Sequence, residues 1–141
     1  VWVYISLFLQ ELFMERLGEN TSALNWFEIP ITDVERAKAF YQSIFEIELI
    51  AVQMMGMDML MFPTQPPHTG GALVKSDNHI PSGQGCLIYL NGNPNLQNVL
   101  DKVQEAGGNI IMGKTLIDEN TGYMAFFTDT EGNTVGLHSI G

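Results

Sequence analysis

Cysteine occurs once in this chain, basic side chains only six times, and no apolar run reaches a membrane-spanning length. The lone thiol, Cys86, excludes an internal disulfide and any zinc cage of CxxC type, and it suits a reducing compartment. Six Lys and Arg against 16 Asp and Glu leave a formal charge of −10 and a pI near 4.4. A body this acidic repels phosphate backbones, and no basic stripe interrupts it. Neither nucleic acid nor an anionic membrane surface is therefore an expected partner. Without roughly 18 consecutive apolar residues no transmembrane helix is expected. The apolar start Val1–Leu9 lacks the basic region and small-residue cleavage site of a signal peptide. A cytoplasmic protein is the expectation.

What is present is enough for one core. The 141 residues are 45% apolar and 16% charged, which excludes disorder and collagen-like or coiled-coil architecture. Residues 1–24 read as an N-terminal extension, with Met14 an acceptable start. Two readings of it stay open. Residues 1–13 are leader or non-native residues, or Ile5, Phe8, Leu9, Leu12, Phe13 and Leu17 form a helical stripe that covers a surface such as a partner subunit.

Residues 25–141 read as one domain made of a pattern used twice. Asn25–Ile31 alternates like a strand. Thr32 and Glu35 have capping-box spacing before a helix whose buried face is Val34, Ala37, Phe40, Tyr41 and Ile44. Strands are expected at Ile47–Gln53, Met57–Phe62 and Gly71–Lys75. The order then repeats. Gly85–Leu90 reads as a strand, and Asn93-Pro94 as an N-cap with proline in the first turn. Leu96, Val99, Leu100 and Val103 form the apolar stripe, and Gly107-Gly108 the helix end. Strands follow at Asn109–Ile111, Tyr123–Phe127 and Thr134–Ser139. The fold class is α+β: two βαβββ modules, 25–75 and 85–139, alike in pattern but not in sequence.

This order, with WFEIPITDVERAKAFYQSIF at the start, GGALVK before the inter-module loop and FFTDTEGNTVGLHS at the end, resembles the vicinal oxygen chelate superfamily of glyoxalases, bleomycin-resistance proteins and extradiol dioxygenases. One departure is Glu46, where the family usually has glycine. The resemblance implies curved mixed sheets that enclose a cavity. In the family's enzymes a divalent ion sits there, held by one residue from the first and last strand of each module. The matching positions here are Trp26, a residue within Gly71–Val74, Cys86 and Gly136. These supply an indole, no donor, one thiol and no donor, so no metal and no cofactor is expected.

By alternation Glu28 shares a side with Trp26, and His138 with Gly136, so both polar groups are expected to face the cavity. They orient a ligand, pair with each other, or are merely structural. A carboxylate near an imidazole is also an acid–base couple, and with Cys86 or Gln84 the two could hold zinc at a displaced site. Trp26 and Tyr89 are candidates to stack on a planar ligand. The Met57, Met59 and Met61 stripe is read as core or interface, Cys86 as a buried hydrophobe, and His68 and His79 as solvated loop residues. The expected cavity set is Trp26, Glu28, Cys86, Tyr89, Gly136 and His138. The favoured function is metal-free binding of a small organic molecule by a homodimer. The alternative is a divalent-metal-dependent lyase, isomerase or dioxygenase with a displaced site.

Overall fold

The computed structural model describes residues 16–141, and the stripe from Ile5 to Phe13 lies outside the described residues. Along the described chain run β1 (Trp26–Pro30), α1 (Val34–Phe45), β2 (Ile50–Met54), β3 (Met57–Met61) and β4 (Gly70–Lys75), then β5 (Tyr89–Asn91), α2 (Gln97–Val103), β6 (Asn109–Asp118), β7 (Gly122–Thr128) and β8 (Thr134–Ser139). Each βαβββ module forms its own mixed four-stranded sheet, in the orders β1-β4-β3-β2 and β5-β8-β7-β6. In both, the first strand pairs in parallel with the last, and the remaining pairings are antiparallel.

One core serves both modules. Ile29, Leu60 and Leu73 from the first sheet and Leu90, Ala125, Phe127 and Leu137 from the second share a cluster with Phe40, Tyr41 and Ile44 of α1 and Val99, Leu100 and Val103 of α2. The helical spacing of the apolar residues thus becomes the seam that joins the halves. On the other face of the first sheet, Met57, Met59 and Met61 pack with Ala72 and Val74.

The helix starts differ from the sequence expectation. Asp33, not Thr32, caps α1: its backbone is extended and its carboxylate accepts the Arg36 amide at 3.0 Å. An ionised oxygen at the positive helix end outcompetes a hydroxyl, and the Thr32 hydroxyl donates instead to Glu131 at 3.1 Å. α1 ends with Glu46 in the left-handed conformation, φ 54°. The resemblance placed glycine there for that geometry. α2 begins at Gln97, not beside Asn93-Pro94. The Asn93 side chain accepts the Ile140 amide at 2.8 Å and the Ser139 hydroxyl accepts the Leu96 amide at 2.9 Å, which ties this stretch to the end of β8. Beyond α2, Gly107 at φ 106° lets the Gly108 amide reach the Val103 carbonyl at 2.9 Å. β6 continues to Asp118, past the expected Ile111, and register shifts between Ile110 and Thr115 break the alternation that would have revealed it.

A polar clamp fastens the modules at one end of the seam. Glu131, its side chain 0% exposed, accepts the amides of Thr32 and Asp33 at 2.9 and 2.7 Å and binds Arg36 Nε at 2.7 Å. Burial pushes its carboxyl up, but the bonds from Arg36, Asp33 and Thr32 outweigh that and hold it at about 2. Beneath it, buried Asp129 accepts the Tyr41 hydroxyl at 2.7 Å and the Asn133 side chain at 2.9 Å.

Candidate functional site

Beside the clamp, the seam opens into a groove. β1 bonds only to β4 and β5 only to β8, so each keeps one unpaired edge. Two cavities lie along the groove, the larger between β1 and β5 and the smaller between β1, the segment before β5 and the start of β8. The larger, about 720 Å³, is lined by Phe27, Phe45, Phe62, Leu87, Tyr89 and Val99 among others. The smaller, about 250 Å³, is lined by Glu28, Ile80, Ser82, Gln84, Cys86 and Thr134 among others. Ile88 borders both, so they are neighbouring compartments of one groove.

Alternation places Trp26 and Glu28 on the same side of β1, and the indole Nε1 donates to Glu28 Oε2 at 3.2 Å. The other carboxylate oxygen meets His79 Nε2 at 2.8 Å, and His79 Nδ1 meets the Ser76 hydroxyl at 2.6 Å. His79 is therefore not a solvated loop residue: its side chain is 19% exposed and is the partner that holds Glu28. Its bond, more than the contribution from Trp26 and against the effect of burial, draws the Glu28 carboxyl below the usual range. Ser76 and Glu28 thus hold the His79 ring from its two nitrogens, which fixes the carboxylate in turn. Sequence reasoning missed His79 because 51 residues separate it from Glu28 and only the turn after β4 brings them together.

The remaining candidates scatter. Cys86 lies before β5, not inside a strand, and it is exposed, not buried. Tyr89 is half exposed at the larger cavity, and its ring packs tilted by 58° against Phe126 with centroids 5.6 Å apart. It pairs with Gly136, where a Cβ would meet the ring at 2.8 Å, so glycine there is what lets the ring lie flat on the strand. His138 pairs with Asn91, and its Nε2 meets the Thr121 carbonyl at 2.6 Å. Glu28 and His138 thus have separate partners on separate sheets.

Residues 23–137 match the Glyoxalase/Bleomycin resistance protein/Dioxygenase superfamily. The chain belongs to this superfamily. Among solved structures it is similar to TnmS3, an antibiotic binding protein from Streptomyces sp. CB03234, with TM-score 0.61 and 24% identity over 86% of this chain and 98% of that one. A glyoxalase/bleomycin resistance protein from the same Streptomyces has TM-score 0.61 and 27% identity over 83% and 100% of the two chains. One from Albidiferax ferrireducens T118 has TM-score 0.63 and 14% identity over 84% and 98%. No curated protein matches the chain.

The superfamily's enzymes imply a divalent ion, and the residues at its positions do not fit one. Trp26 lies over Gly70, with a ring carbon 3.5 Å from where a Cβ would stand; Gly71–Val74 offers no donor; and the Tyr89 ring fills the space a side chain at Gly136 would need. Among the described residues no three of His, Cys, Asp and Glu stand close enough to hold a metal ion. No helix among them is long and apolar enough to cross a membrane. What the arrangement offers is an aromatic-walled cleft beside a fixed carboxylate.

Proposed function

We propose that this chain binds a small organic molecule without a metal, taking its planar apolar body into the 720 Å³ cleft between the free edges of β1 and β5. The cleft carries the reading. Its volume suits a drug-sized ligand, its walls are aromatic and aliphatic, and Thr64, Thr69, Asn91 and Asn93 supply the few polar groups that fix orientation. The antibiotic-binding protein among the similar structures supports the same class of ligand. The protein acts as a homodimer in this reading, supported by the exposed apolar residues Ile50, Ile111 and Leu116 on the outer strands. Sedimentation showing a monomer at micromolar concentration would retire the dimer.

The test is equilibrium dialysis against planar polyaromatic antibiotics in buffer containing EDTA. Micromolar binding is expected, weakened at least about tenfold by Leu87→Trp, which fills the cleft from an exposed position. No binding by any member, binding only after metal is added, or indifference to Leu87→Trp overturns the reading.

A further inference from the structure

We infer that the groove selects organic cations, with an ammonium group entering the 250 Å³ cavity against Glu28 while the aromatic body fills the larger cleft. This rests on the binding reading above and names its ligand class. Among the described residues, Glu28 is the one Asp, Glu, Lys, Arg or His that lines either compartment. An anionic ligand would therefore meet a like charge and no Lys or Arg, whereas a cation meets a carboxylate already fixed in place.

That carboxylate is held by the Trp26 indole on one oxygen and His79 on the other, yet its side chain stays 33% exposed. A held acceptor spends little further entropy on capturing a cation. Gln84 and Thr134 line the same cavity and add neutral acceptor oxygens for the other ammonium hydrogens. Ile88, common to both cavities, places the charged and aromatic parts of one ligand a short linker apart.

The test uses three probes of one shape: naphthylmethylamine as the cation, naphthylmethanol as the neutral form and naphthoate as the anion, each measured by calorimetry on the full chain. The amine is expected to bind at least about tenfold tighter than the alcohol, with naphthoate weakest. Glu28→Gln, which keeps an acceptor for the indole, should bring the amine-to-alcohol ratio to within about twofold. Glu105→Gln removes the same unit of net charge from an exposed position outside both cavities and should leave the ratio as it is. Gln84→Lys supplies a tethered ammonium to the small cavity and should lower the ratio as well, a check that survives if Glu28→Gln fails to fold. Equal binding of amine and alcohol, or an equal fall of the ratio in the Glu28 and Glu105 variants, overturns the cation selectivity alone. If neither these probes nor the polyaromatic antibiotics bind, the binding reading and this inference fall together.

Discussion

The two ends of the seam between the modules are built in opposite ways. At one end Asp129 and Glu131 accept bonds from the Thr32, Asp33, Arg36 and Tyr41 region, and every buried polar side-chain atom among the described residues finds a partner. At the other end two strand edges stay unpaired and aromatic walls face a cleft of about 720 Å³. A closed polar network fixes how the modules sit, and this lets the open end remain apolar and unfilled. In the proposed reading, structure and binding are thus divided along one seam.

The comparison breaks most severely at Asp129. Asp129→Ala orphans the fully buried Tyr41 hydroxyl and the amides of Glu131 and Asn133, and should cost about 4 kcal/mol in urea unfolding. A loss under about 1 kcal/mol would mean that the clamp does not hold the modules. Glu131→Gln should cost about 3 kcal/mol near neutral pH, the free energy of drawing a carboxyl from 4.5 to about 2. The sign follows from a depressed folded-state value. The stabilisation is complete above 4.5, declines as pH falls, and is gone below about 2, so wild type and variant should converge there. A gap that instead persists at acid pH would assign the loss to packing rather than charge.

Leu87→Trp sharpens the same contrast from the open side: ligand affinity should fall at least about tenfold while the urea midpoint barely moves, because Leu87 is 41% exposed. The smallest effect is a gain. Glu46→Gly should stabilise by about 0.5–1 kcal/mol by relieving a left-handed backbone at φ 54°. Thermal unfolding reads it, and a lowered midpoint would show that the Glu46 contact to Lys102, 3.5 Å apart, outweighs the strain.

Much of the fold was legible because its signals are local. The helical spacing of Val34, Ala37, Phe40, Tyr41 and Ile44 marks α1, and all but half-buried Val34 are buried. Glu46, singled out for departing from the resemblance's glycine, is the residue that adopts the left-handed cap. The helix starts were less legible, since Asp33 and Thr32 are both good caps and the choice is settled by Glu131, 98 residues away. The site was legible by halves. Alternation placed Trp26 and Glu28 together, a local inference. Glu28 finding His79, and not His138, depends on a turn whose path no periodicity encodes. Cys86 was placed in a strand because its neighbours are β-formers, but β5 begins only at Tyr89, where bonding to β8 starts.

Hydrogen exchange with and without a bound polyaromatic antibiotic tests the central claim most directly. The account predicts slowed exchange across residues 87–91, Trp26–Pro30 and the end of α1, with the clamp around residues 129–133 unchanged. Protection confined to the strands Met57–Met61 and Gly122–Thr128, with β5 unaffected, would place the ligand elsewhere and contradict it.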